Sequence, residues 1–183
     1  MPTHVALLRG INVGGRGRVP MPELRSLMAE LGHADVATYI QSGNAVFTSD
    51  RDPSTLADEL EQAIAERMNV SCGVVVITRD DLQQVIDDNP FPDEDNPKLL
   101  HAVFRRAELT ADERAKVAEA ADRAKAKGCE DEAVIVGRTM FLHTPDGLGR
   151  SELSAQLSRT AASKTGTARN WATVHKLRSM LDA

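Results

Sequence analysis

The chain has 183 residues, a formal net charge of −5 and 42% hydrophobic residues. That length holds one domain or two small ones, and the acidic balance argues against broad attraction to nucleic acid or an anionic membrane. No apolar run approaches the roughly 18 residues of a membrane span. Met1-Pro2-Thr3 leads straight into an apolar run rather than into a signal peptide, so a cytoplasmic protein is expected.

With four Phe, one Tyr and one Trp, the core must be built from Leu, Val, Ile, Met and Ala. Residues 5–8 read as a first strand. Residues 22–32 read as a helix with Leu24, Leu27, Met28 and Leu31 on one face, Pro22 in its first turn and Gly32 at its stop. Residues 36–40 and 45–48 are β-rich runs around Gln41-Ser42-Gly43-Asn44, where Gly43 and Asn44 tolerate positive φ, which predicts a hairpin. Asp52-Pro53 opens a second helix to about Met68, with Leu56, Leu60, Ile64 and Met68 along one side. Residues 73–77 are continuously apolar, as a buried strand is. Thr78 with Asp81 caps a short helix carrying Leu82, Val85 and Ile86, and Asn89-Pro90-Phe91-Pro92 ends it.

After the linker Asp93-Glu94-Asp95-Asn96-Pro97 the pattern restarts. Residues 99–104 are a strand, and Thr110 with Glu113 opens an Ala-rich helix that stops at Gly128. Residues 133–136 and 140–143 are strands around a tight turn at Gly137-Arg138. Ser151 caps a short helix through Leu153 and Leu157. Thr167 is expected to cap the last helix, with Trp171, Val174, Leu177 and Leu181 inward. The order is βαββαβ and then βαββα. The expected class is therefore α+β, a tandem repeat of two ferredoxin-like (βαββαβ) subdomains, residues 1–89 and 97–183, with additional C-terminal helices.

Three blocks resemble a known family. They are Ala6-Leu7-Leu8-Arg9-Gly10-Ile11-Asn12-Val13-Gly14-Gly15 with Val19-Pro20-Met21 and Leu24-Arg25, then Tyr39-Ile40-Gln41-Ser42-Gly43-Asn44-Ala45-Val46-Phe47, then Thr167-Ala168-Arg169-Asn170-Trp171-Ala172-Thr173-Val174. In that order they resemble the bacterial family of unknown function DUF1697, with Ala172 standing where Asn is commoner. The resemblance implies two tandem ferredoxin-like subdomains and no activity.

The chemistry concentrates after the first strand. Four glycines (Gly10, Gly14, Gly15, Gly17) and three arginines (Arg9, Arg16, Arg18) fall within ten residues, just before a helix. A strand, a glycine-rich turn and a helix N-terminus can together hold an anion, with arginines adding charge-assisted bonds. The candidate anion-binding set is Arg9, Gly10, Asn12, Gly14, Gly15, Arg16, Gly17 and Arg18. The loop departs from a phosphate-binding P-loop where Lys and Ser/Thr belong, and Val19-Pro20 break a GxGxxG pattern. The corresponding segment of the second half, 105–110, has no glycine, so the topology alone does not demand such a loop.

Secondary candidates are Ser42 and Asn44, which could present polar groups at the hairpin, and Lys164, Thr167, Arg169 and Asn170 before the last helix, a candidate second anion contact on the face of the first. An ordinary cap on a basic helix, and plain turn chemistry, are the favoured readings of these residues. Trp171 sits at a core position. Cys72 and Cys129 stand alone and read as reduced, buried thiols. His4, His33, His101, His143 and His175 show no ligand spacing, so no metal and no cofactor are expected. The acidic residues between Asp80 and Asp95 read as a solvated face. No Ser-x-x-Lys or GxSxG occurs. Three functions stay open: binding of a small phosphorylated or carboxylated metabolite, a protein-interaction scaffold, and single-stranded nucleic-acid binding. The last is disfavoured by charge and by the lack of an aromatic RNA-binding motif among Tyr39, Phe47, Phe104 and Phe141.

Overall fold

The computed structural model describes residues 1–15 and 17–183; Arg16 lies outside the described residues. The described chain is α+β, with two four-stranded antiparallel sheets and seven α-helices. This layout is compatible with duplicated ferredoxin-like units. The chain divides into two compact units, Met1–Gln84 with His175–Ala183, and Val85–Val174. The last nine residues therefore group with the first unit. No helix among the described residues is long and apolar enough to cross a membrane.

In the first unit, β1 (His4–Arg9) lies between β3 (Asn44–Thr48) and β4 (Gly73–Thr78), and β2 (Ala34–Tyr39) pairs with the far side of β3. Ala6 stands opposite Ala45 on one side and Val76 on the other. Alternate residues Ala6, Leu8, Ala45, Phe47, Val74 and Val76 form one core with α1 (Met21–Glu30) and α2 (Pro53–Met68). The helices supply Leu24, Leu27, Met28, Leu56, Leu60 and Ile64 to it. The intervening Val5, Leu7, Val46, Val75 and Ile77 are buried too, which is why these strands read as continuous apolar runs. Asp52 caps α2 by accepting from Ser54 and Thr55, and those bonds hold its carboxyl far below the usual range. Thr78 and Asp81 exchange reciprocal bonds at the head of α3 (Arg79–Asp87).

The hairpin between β2 and β3 forms, but Asn44 does not take the left-handed conformation. That falls to Ile40 (φ 49) and Gly43 (φ 82). Asn44 is fully buried in β3, where its Nδ2 donates to Tyr39 O and to Ser42 Oγ, each at 3.0 Å. A buried amide must spend its donors, and here they brace the turn.

His4 and His33 both lie against Phe47, with ring centroids 5.6 and 4.9 Å away. His33 Nε2 is 3.3 Å from Glu59 without hydrogen-bond geometry. Burial lowers the pKa of His4, His33 and His101 below the ordinary 6.5. A lowered folded-state value means that these rings stabilise the fold while neutral. Their contribution is complete above about pH 6.5 and is lost as pH falls through the folded values. The urea midpoint is therefore expected to drop between about pH 7 and about pH 5, and His33→Phe to reduce the drop. A midpoint that is flat across that window would contradict buried neutral imidazoles.

In the second unit, β5 (Leu100–Phe104) lies between β7 (Thr139–His143) and β8 (Thr167–Asn170), with β6 (Glu132–Val136) outside β7. Val103, Met140 and Leu142 pack with Val117, Ala120 and Ala124 of α4 (Ala111–Ala126) and with Leu153 and Leu157 of α5 (Glu152–Leu157). Thr110 and Glu113 form the expected capping box, and Ser151 caps α5. Thr167 does not cap the last helix. It belongs to β8, opposite Phe104, and is buried. Asn170 Oδ1 instead accepts from Thr173 N–H (2.9 Å) at the start of α7 (Trp171–Leu181). The short 167–170 run looked like a cap because its strand character comes from pairing with β5, which local sequence does not carry. A short α6 (Ala162–Thr165) precedes it. Trp171 packs on Phe141, centroids 6.1 Å apart, as its apolar-face position implied.

Candidate functional site

The glycine-rich loop is a small, tightly pinned hairpin. Gly14 (φ 59) and Gly15 (φ 75) are both left-handed, and Asn12 N–H donates to Gly17 O at 2.9 Å. A phosphate-cradling nest alternates right- and left-handed residues, so the paired glycines build a different object. Asn12, itself left-handed (φ 55), holds the loop through its side chain. Its Nδ2 donates to Val19 O (2.9 Å) and to Gln41 O (2.8 Å), and its Oδ1 accepts from Val19 N–H (2.9 Å). Leu8 N–H donates to Gly43 O, and Ile11 sits under Gly43, tying the loop to the β2–β3 hairpin.

Helix α1 begins with Pro20 as its N-cap and no side-chain cap, and Pro22 brings no N–H. Glu23 already occupies the first turn with the charge that the helix dipole favours. The positive charge available to a ligand therefore comes from arginine. Arg9 and Arg18 are exposed, and neither makes an ion pair with any of the described residues. Arg9 ends β1 opposite Gly73, and a Cβ at Gly73 would lie 3.2 Å from Arg9 Nε. The guanidinium thus lies across the bare backbone of β4. Gly73 was not among the candidates; a glycine heading an apolar strand was its only signal.

The second unit holds the same pairing in buried form. Arg105 follows β5, and a Cβ at Gly166 would lie 3.3 Å from its Cζ. Arg105 is 3% exposed; Nη2 donates to Ala162 O (3.1 Å), while Nε has no partner. Burial lowers its pKa, opposed by Glu113.

The candidates separate by environment. Gly10, Gly14, Gly15, Arg18 and Ser42 are exposed, Asn12 and Gly17 are half-buried, and Asn44 is buried. Lys164 is exposed on α6, whereas Thr167 and Arg169 are buried in β8. Arg169 Nη1 donates to Thr167 Oγ1 (2.7 Å), and burial pushes its pKa down to about 10. Asn170 serves as a helix cap. Phe47, Phe104 and Phe141 are buried and offer no stacking surface for bases.

The acidic run is not wholly a solvated face. Glu94 accepts from Asn96 N–H (2.8 Å) and meets His143 Nε2 at 2.7 Å, contacts that lower its pKa. Phe91 stacks on His143 at 5.0 Å, and with Glu132 these residues line a cavity of about 280 Å³. No group of three or more His, Cys, Asp or Glu able to hold a metal occurs among the described residues.

The family model "Protein of unknown function (DUF1697)" matches residues 1–140. The chain belongs to this family. A solved structure of a conserved bacterial protein from Streptococcus pneumoniae, SP0830, is similar over 98% of both chains, with a TM-score of 0.76 and 24% identity. That likeness shows a shared fold. No curated protein matches the chain. The family match covers the glycine loop, the hairpin that pins it and the Gly73 strand, but not residues 162–170.

Proposed function

We propose that the 9–18 loop binds a small phosphorylated or carboxylated metabolite, with Arg9 and Arg18 as the charged contacts. The observation that carries this reading is the placement of Arg9. Its guanidinium lies against Gly73, and Arg9 is exposed and without an ion pair among the described residues, while the equivalent Arg105 is covered and donates to Ala162 O. An arginine positioned by packing but left with open donors suits a planar anion. The Asn12 clamp keeps the loop in one shape, which reduces the ordering cost of binding.

The matched Arg9–Gly73 and Arg105–Gly166 pairs also support reading the two sheets as copies of one ferredoxin-like unit, residues 1–89 and 97–183. Two free cysteines fit a reducing, cytoplasmic setting.

A thermal-shift panel of phosphorylated and carboxylated metabolites tests the site. A ligand at 100 times its Kd stabilises by about 2.7 kcal/mol, or roughly 5–11 °C for a chain of this size. Arg9→Ala with Arg18→Ala is expected to abolish the shift without changing the unliganded melting temperature by more than about 1 °C. Gly73→Ala is expected to weaken the ligand several-fold by displacing Arg9, while the strand itself gains slightly from losing a glycine. A panel with no shift would overturn the reading in favour of a protein-interaction scaffold.

A further inference from the structure

Three large hydrophobic side chains are exposed among the described residues, and two of them belong to this site: Val13 at 69% and Ile40 at 51%. They flank one hydrogen-bonded contact, since Asn12 Nδ2 donates to Gln41 O at 2.8 Å. Val13 follows Asn12, Ile40 precedes Gln41 and Arg18 precedes Val19, to which Asn12 is also bonded, so the two apolar residues and Arg18 lie on adjoining, hydrogen-bonded segments, and Arg9 opens the same loop.

Ile40 is the more telling residue. It holds a left-handed backbone (φ 49), which costs an L-residue about 1–2 kcal/mol and crowds a β-branched one further. Glycine or asparagine would occupy that turn position freely. Strain of this kind is ordinarily offset by burial, yet half of Ile40 remains in water. Among the described residues nothing covers Ile40 or Val13 enough to offset the strain and the apolar exposure, a pattern that marks binding surfaces.

Resting on the anion reading above, we propose that the ligand is amphiphilic: a phosphate or carboxylate held by Arg9 and Arg18, joined to an apolar body that seats on Val13 and Ile40. The two loops supply a charged end and an apolar end a few residues apart, and Asn12 fixes their spacing. A fully polar anion would use the arginines alone and leave Val13 and Ile40 in water.

The test titrates the full chain calorimetrically with methyl phosphate and with hexyl phosphate. Hexyl phosphate is expected to bind about tenfold tighter or better, the gain from burying part of its longer chain. In Val13→Ser with Ile40→Asn that advantage falls below about threefold, while methyl phosphate binds as in the native chain. Ile40→Asn suits the left-handed turn, and the single variant serves as a folding control. Equal affinities for the two phosphates, or a hexyl advantage that survives in the double variant, would overturn the amphiphilic ligand and leave the anion site standing. Binding of neither phosphate would overturn the anion site itself and this inference with it.

Discussion

Gly43→Ala is expected to destabilise the protein by about 2–4 kcal/mol and to lower its melting temperature by roughly 5–15 °C. Two costs add. Gly43 has φ +82, so any Cβ is strained there. That Cβ would also lie 2.7 Å from Ile11 Cδ1 and 2.8 Å from Leu8 Cβ, both in the core beneath the hairpin. Leu8 Cβ is fixed to a backbone whose N–H is bonded to Gly43 O itself, and Ile11 Cδ1, although a terminal methyl, is buried in the core with little room to move. Gly14→Ala is the control. Gly14 has φ +59 but nothing within 4 Å of its Cβ, so it incurs the conformational cost alone, about 1–2 kcal/mol. Thermal melts of the two variants separate the terms. Equal losses would show that backbone strain, and not the close approach of Ile11 and Leu8, sets the requirement for glycine at 43.

Asn12→Ala is expected to cost about 2–4 kcal/mol and to abolish anion binding at the 9–18 loop. The substitution removes three side-chain hydrogen bonds at once. Val19 is fully buried, and its N–H and C=O both lose their partner. A buried backbone group left unpaired costs about 1–3 kcal/mol. Alanine at φ 55 adds conformational strain that asparagine tolerates. The loop also loses its tie to Gln41, so Arg18 and Val13 are no longer held in register with the hairpin. Limited trypsin digestion reads this directly, since loop cleavage should become faster in the variant relative to the native chain. Undiminished stability in urea, together with native protease resistance, would show that Asn12 does not clamp the loop.

Two asparagines play roles that differ from the one their residue type suggests. Asn12 and Asn44 read as polar groups that could face a ligand. In the fold each spends its amide on neighbouring groups, Asn12 on Val19 and Gln41 and Asn44 on Tyr39 and Ser42. Arg9, one of three arginines around the loop, is singled out by a glycine sixty-four positions further on, through the β1–β4 register. One residue beyond the last β5–β8 pair, Phe104 with Thr167, Arg105 lies beside Gly166. Neither pair can be seen from residue order, because strand partners are chosen by the sheet.

Much of the architecture was written into local pattern. The caps at Asp52, Thr78, Thr110 and Ser151 rest on bonds between residues two or three apart, and each forms where spacing placed it. The apolar faces of α1 and α2 follow from helical periodicity, and the buried strands from their unbroken Val, Ile and Leu runs. Interactions of that range depend on neighbours in the chain, so composition and spacing suffice to specify them. Tertiary structure decided the rest. It made residues 167–170 a strand through pairing with β5, assigned the left-handed turn position to Ile40, and grouped residues 175–183 with the first unit. It also laid Arg9 across Gly73 and left Val13 and Ile40 in water. Each of these depends on groups that meet only after the sheets have formed, and long-range pairing leaves no periodic trace in the chain.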